Sequence, residues 1–471
     1  MELQEVSVAP VSLAHFEKIA SPARWAELEH ARHLAQDLLE GRVVWNINST
    51  AHGGGVAEML QVLLAYGLGV GVDIRWIVVR GDAEFFQITK RMHNFLHGST
   101  GDGGPLDEAE RRHYEAVLAR NAHALAERVH PGDVVLLHDP QTAGLVAAMR
   151  DVGAAVVWRC HVGSDDFGNR VAEAWEFLRP YLDQANAYVF SRRRYAPDWL
   201  DPTRVRVIAP SIDPFSPKNA ELDSDVVRST LIRAGVVDGS AGVEPAFVRR
   251  DGSRARVSRA CDIVRSHGPF PSDAPLVVQV SRWDRLKDMS GVLRGFADHV
   301  SDERAVLALV GPDVRSVADD PEGRAVLEEC MSVWRGLPAP RRARVQLVSV
   351  PMDDVEENAA IINAIQRHAA IVVQKSLAEG FGLTVAEAMW KARPVVASAA
   401  GGIRDQIVDG EHGLLLPDPS DLRAMGAAVD RLLGAPHDAA RLGAHARQRV
   451  TEEFLGDRHL IQWVGLLQSL G

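Results

Sequence analysis

The sequence predicts an α/β protein of two doubly wound, Rossmann-like domains. Three observations predict it. At 471 residues the chain is too long for one ordinary core. Short runs of Val, Ile and Leu alternate with longer helical patterns along most of it, the arrangement that builds parallel sheets covered on both faces. The alternation breaks once, at roughly 211–273, in a stretch rich in Pro, Ser, Asp, Gly and Arg.

The first series of predicted strands is Val43–Ile47, Ile74–Val79, Val134–Leu137, Ala155–Trp158, Ala187–Phe190 and Val205–Ile208. The second is Leu276–Val280, Ala305–Val310, Val345–Val348, Ile371–Val373 and Pro394–Ala397. Most are continuous apolar runs, as strands buried on both faces require. Helical patterns at 107–129, 354–368 and 419–434 separate several of them. The boundary is placed at Pro214, giving domains 1–214 and 215–453. The segment 454–470 reads as a terminal helix, packed on its own domain or returned to the first. Within the second domain, 235–273 reads as an insertion, either a solvated loop or a flap built on the basic run Arg249–Arg256.

Composition narrows the function. A net charge of −11 argues against general nucleic-acid or anionic-membrane binding. Three cysteines far apart make neither a disulfide framework nor a zinc pattern. The N-terminus lacks a basic start followed by an apolar run, and no apolar run approaches the ~20 residues that span a bilayer. The expected location is the cytoplasm, and a homodimer is expected on frequency alone.

Four elements carry candidate chemistry. In Glu379-Gly-Phe-Gly-Leu-Thr-Val-Ala-Glu387, a strand runs through a tight loop into a helix, where backbone N–H groups meet a phosphate. Gly380, Phe381, Gly382 and Leu383 form that loop and helix start. Thr384 and Glu387 fit a capping box, which would explain Glu387 without a ligand. Glu379 has no such local explanation and reads as a hydroxyl acceptor. In Ser281-Arg-Trp-Asp-Arg-Leu-Lys287, Arg282 and Lys287 are cations at a strand's carboxyl end; as a diphosphate clamp they compete with surface ion pairs to Asp284 and Asp288. Gly53, Gly54 and Gly55 follow the first strand and permit close backbone approach, or form only a flexible turn. His138-Asp-Pro-Gln141 and Arg159-Cys-His161 are polar strand ends in the first domain, and Glu84–Asn94 mixes aromatics with Lys90, His93 and Asn94. Asp223-Ser-Asp225 matches a metal-binding D-x-D pattern by chance in an acidic stretch, so no catalytic metal is predicted.

Taken together, these elements resemble the retaining family 4 glycosyltransferases of GT-B fold, in the family's order: the glycine loop, Ser281–Lys287, Glu379–Glu387, Gly401-Gly-Ile and Val408-Asp-Gly410. The family's Glu after the Gly-Gly pair is replaced here by Arg404-Asp405, so no role is carried to that position. The first half is similar to the trehalose glycosyltransferring synthases, through Asn48-Ser-Thr, Glu84-Phe-Phe to Gly98, His138–Gln141, Arg159–His161 and Ser211–Pro214. The resemblance implies two domains facing each other across a cleft. It implies reversible transfer of glucose from UDP-, ADP- or GDP-glucose to glucose, forming trehalose, with no cofactor. It gives Arg282 and Lys287 the leaving diphosphate, Glu379 the donor glucose hydroxyls and Glu387 the ribose. It places His161 near the reaction centre, assigns Gly54, Gly55 and the 380–384 loop to the donor, and makes Asp139, Gln141, Lys90 and Asn94 acceptor contacts. Trehalose phosphorolysis, another small acceptor and a noncatalytic sugar-nucleotide sensor remain as alternatives.

Overall fold

A computed structural model describes residues 3–51, 55–315 and 321–470. The chain divides into two compact units, one running through Ser211 and resuming at Gly456, the other spanning Ile212–Leu455.

The first unit holds β1 (Gln4–Val6), β2 (Val43–Asn48), β3 (Asp73–Val78), β4 (Val134–His138), β5 (Ala155–Cys160), β6 (Ala187–Phe190) and β7 (Val205–Val207). They form one sheet in the order β1-β3-β2-β4-β5-β6-β7. Only β1 is antiparallel, on the edge beside β3. Three residues are too few to show a period, so this strand is not legible in the sequence. β2 pairs in parallel with β3 on one side and β4 on the other. The strand order reverses there, which opens a crevice at the carboxyl ends of β2 and β4. Trp45, Trp158, Phe85, Tyr114 and Phe177 fill one side of the sheet. The C-terminal helix Gly456–Gln468 packs with the helix Pro22–Leu38 on the other.

The second unit holds β8 (Ala246–Val248), β9 (Arg254–Arg256), β10 (Asp262–Val264), β11 (Leu276–Val280), β12 (Val306–Pro312), β13 (Val345–Val350), β14 (Ile371–Gln374), β15 (Val395–Ser398) and β16 (Leu414–Leu416). Its main sheet runs β10-β13-β12-β11-β14-β15-β16. All pairs are parallel except the edge pair β10–β13. Its switch point lies between β11 and β14, in register Val277↔Ile371 and Val278↔Val372.

The 235–273 insertion is ordered rather than a plain loop. It contains the antiparallel hairpin β8–β9 and then β10. Its basic residues are engaged. Arg249 pairs with Asp354 and Glu356, and Arg259 with Glu357. Those carboxylates lie in the N-cap and first turn of the helix Val355–His368, where the helix dipole favours them.

Candidate functional site

The two carboxyl-end loops of the second unit's switch point meet. Lys287 closes the short helical turn Arg285–Lys287 after β11, and Glu379 lies five residues past β14. Lys287 Nζ donates to both carboxylate oxygens of Glu379, at 2.8 and 2.7 Å. The side chains are 18% and 10% exposed, so the pair is largely shielded yet open to solvent on one side. Ser376 donates to the same carboxylate at 3.1 Å.

A buried polar network beneath the pair holds both loops. Gln279 Nε2 donates to the Lys287 carbonyl at 2.7 Å. Gln374 Nε2 donates to Ser281 and Ser376, each at 3.0 Å, and its Oε1 accepts from Thr384 at 3.1 Å. Trp283, 1% exposed, anchors the first loop by donating to the Pro312 carbonyl at 3.0 Å. The sequence reading missed Gln279 and Gln374 as site residues. Their signal was present: each is a glutamine at or beside the carboxyl end of an otherwise apolar strand, and both are buried. A buried amide needs partners, and here the partners are the site loops.

The capping box is corrected. The helix Leu383–Trp390 is capped by Gly382, in the left-handed region at φ 90°, with no side-chain cap. Thr384 lies inside the helix and turns its hydroxyl to Gln374, so Glu387 is two positions beyond N3. Glu387 is 1% exposed and pairs with Lys218 at 2.9 Å. Lys218 was not singled out because it lies 169 positions away (387 − 218) in the irregular stretch. With no capping side chain, the Val385 N–H donates to the Gly382 carbonyl at 3.0 Å, and a helix start of this kind is a general meeting place of N–H groups and anions. Phe381 packs edge-on against Phe454 at 5.5 Å. Gly402 sits behind the loop, where a Cβ would lie 2.6 Å from Phe381 Cα and 2.7 Å from the Gly380 carbonyl oxygen. Arg282 is 50% exposed and pairs with Asp284 at 2.9 Å, the surface pairing weighed against its phosphate role. Lys287 does not pair with Asp288, whose carboxylate takes the fully buried Lys375 instead.

The first unit gathers His138, Asp139 and His161 at its strand ends. His138 Nδ1 lies 3.1 Å from His161 Nε2, and His138 Nε2 lies 3.2 Å from Asn46 Oδ1 across the switch point. The His161 backbone N–H donates to Asp139 Oδ1 at 2.7 Å. Asp139 has φ 65°, a conformation uncommon outside glycine. Burial holds both imidazoles neutral: His138 is lowered to about 3 and His161 well below its usual value, with the Arg159 charge adding to both. Burial pushes Asp139 up to about 7, against the His161 N–H bond and the Arg159 charge. Gln141 lies in the next turn, Pro140–Leu145. Lys90 and Asn94 lie on the helix Ala83–Leu96, Lys90 exposed and Asn94 half-buried. No hydrogen bond links either to the histidine pair among the described residues. Gly55 opens the helix Gly55–Gly69, while Gly53 and Gly54 lie outside the described residues. His459 of the C-terminal helix also joins this end of the sheet, 3.1 Å from Arg159 and 2.8 Å from Ser211.

No group of three or more His, Cys, Asp or Glu among the described residues is placed to hold a metal. No described helix is long and apolar enough to cross a membrane.

The α,α-trehalose-phosphate synthase (UDP-forming) from Burkholderia xenovorans, solved with glucose-6-phosphate, matches the fold at TM-score 0.67 and 14% identity, over 91% of this chain and 100% of that one. Residues 355–449 match the family described as glycosyl transferases group 1. The class is therefore a glycosyltransferase of GT-B fold. Residues 46–197 match the trehalose synthase N-terminal domain. The trehalose synthase of Pyrococcus horikoshii is 31% identical over 474 residues, covering 100% of this chain and 99% of its own. The chain belongs to the trehalose synthase family. A more distant relative, the trehalose phosphorylase of Pleurotus sajor-caju, is 25% identical over 411 residues, 81% of this chain and 52% of its own.

Proposed function

We propose that the protein transfers glucose, with retention, from a nucleoside diphosphate glucose to glucose, forming trehalose reversibly and without a cofactor. The observation that carries this reading is the Lys287–Glu379 pair across the second unit's switch point, beside a helix N-terminus with no side-chain cap. A cation and a helix start, suited to a phosphate, beside a carboxylate, suited to sugar hydroxyls, support the reading.

The donor's bond between the anomeric carbon and the diphosphate oxygen breaks as a bond to the acceptor oxygen forms. The acceptor's proton passes to the departing phosphate oxygen. Positive charge grows on the sugar and negative charge on the leaving group, so preorganised donors supply the largest stabilisation. Lys287 and Arg282 take the diphosphate, with the N–H groups of the 380–384 loop and of Gly54 and Gly55. Glu379 accepts from glucose hydroxyls, and Glu387 exchanges Lys218 for the ribose. Neither carboxylate is a nucleophile, despite a spacing that invites a glycosidase reading. In the first unit His161 serves the reaction centre as a neutral imidazole, and Asp139, Gln141, Lys90 and Asn94 bind the acceptor.

Trehalose phosphorolysis is the second reading. The burial of Glu387 against Lys218 favours it, because in that reading the two are a structural pair and no ribose is bound. One experiment separates them. The protein is incubated with trehalose plus UDP, ADP or GDP, and separately with trehalose plus phosphate. The proposal expects sugar nucleotide in a nucleotide tube; glucose phosphate alone overturns it.

A further inference from the structure

Asp288, directly after Lys287, has φ 46° and ψ 48°, a left-handed conformation uncommon outside glycine. Such a residue persists where its surroundings over-determine it, and here both carboxylate oxygens are held. Oδ1 accepts the Gly291 N–H at 3.1 Å and caps the helix Met289–His299, while Oδ2 takes Lys375 Nζ. Gly291 leaves room for this, since a Cβ there would lie 2.2 and 2.5 Å from the two oxygens.

Lys375 is fully buried, one residue past β14. A buried ammonium is costly unless it is paired and hydrogen-bonded. Besides Asp288, it donates to the Pro419 carbonyl at 2.6 Å, beyond β16. One side chain thus ties together the loops after β11, β14 and β16. The helix cap needs only Oδ1 of Asp288, so it does not account for the buried lysine on Oδ2. Lys287 does. The Leu286 carbonyl accepts the Leu377 N–H at 2.7 Å, and the Lys287 carbonyl accepts from Gln279 at 2.7 Å. With Asp288 held by Lys375, three successive residues are fixed. The root of the Lys287 arm is therefore set from below and from the loop that carries Glu379.

We propose that Lys375 is a positioning residue: through Asp288 it fixes the backbone of Lys287, so that the ammonium meets the leaving phosphate. The inference rests on the transfer reading. A displacement of about 1 Å at a reacting group costs on the order of 100-fold in rate, which makes the tie matter to turnover.

The test removes the tie without stranding a charge. Lys375→Met/Asp288→Asn deletes both charges, and asparagine keeps the cap acceptor and tolerates the left-handed region. The double variant should melt within about 4 °C of the parent. Its kcat should fall at least about tenfold, with KM for trehalose within about threefold of the parent's. Added to Lys287→Met, the same two changes should lower kcat less than about twofold further, because the cation they position is gone. A purely structural role predicts an equal fold loss in both backgrounds. Gly291→Ala is the second variant, and it decides where the double variant does not fold. Alanine favours a helix over glycine, so stability should hold, yet the methyl displaces the Asp288 carboxylate and kcat should fall at least about threefold. Rates are read with trehalose plus nucleoside diphosphate and with trehalose plus phosphate. Glucose phosphate alone overturns the nucleotide donor, and the same variants then decide the inference in that tube. Turnover of the parent in neither tube overturns both. Parent-like kcat in Lys375→Met/Asp288→Asn or in Gly291→Ala, or an equal fold loss with and without Lys287, overturns the positioning role alone.

Discussion

Removing one partner of the Lys287–Glu379 pair should separate stability from catalysis. At 2.7 Å and an effective dielectric of about 20, the gross attraction is about 6 kcal/mol. Desolvation of two side chains that are 18% and 10% exposed offsets much of it, leaving a net loss of about 2 kcal/mol when either is truncated. The second unit spans 244 residues (455 − 212 + 1), a size at which each kcal/mol moves the melting midpoint by about 2–4 °C. Lys287→Met and Glu379→Gln should therefore each lower its midpoint by about 4–8 °C. The double variant removes both charges, so its stability should return to within ~1 kcal/mol of the parent, a coupling that a double-mutant cycle reads directly. Turnover should behave otherwise. Loss of the cation at the leaving group should cost about 100- to 1,000-fold in kcat, and the double variant should recover none of it. Circular dichroism melts and sugar-nucleotide formation from trehalose measure the two quantities. Additive stability losses, or a Lys287→Met enzyme within about threefold of the parent kcat, would refute the reasoning.

Other parts of the molecule give independent predictions. Gly402→Ala has no backbone strain to fear at φ −64°, but its methyl meets the backbone of Gly380 and Phe381, so nucleoside diphosphate affinity should fall at least about tenfold in a calorimetric titration. Asp139→Asn should change the pH profile of stability. Asp139 is raised from about 3.9 unfolded to about 7 folded, so its contribution is complete below pH ~4 and lost as pH rises through 7. The parent's urea midpoint relative to the variant's should fall over that window and then level off; a flat difference counts against the burial argument. His138 acts in the opposite sense, losing stability as pH falls from about 6.5 toward 3, and the paired comparison cancels it. Arg249→Ala frees the β8–β9 hairpin from Asp354 and Glu356, so limited proteolysis near 250 should accelerate while kcat stays within about twofold.

The sequence by itself determined the parallel strands of both sheets apart from β16, and the elements that carry the candidate site. Short, mostly apolar runs such as Leu276–Val280 and Val345–Val348, recurring between helical patterns, fit strands covered on both faces. Glu379, Lys287, His138 and His161 were legible because each is a polar group just past such a run, at the end where doubly wound sheets present ligand groups. Only the tertiary structure decided how these groups combine. The edge strands β1 and β10 exist because a sheet edge accepts any three extended residues, and no local pattern announces that. Thr384 and Glu387 have the spacing of a capping box, yet Gly382 starts the helix and frees Thr384 for Gln374. Lys218 reaches Glu387, His459 reaches Arg159, and Lys287 reaches Glu379 across 92 to 300 positions of chain. Charge pairs and buried amides depend on distance in space, and the chain's local pattern encodes only which residues must be buried, not which partner meets them there.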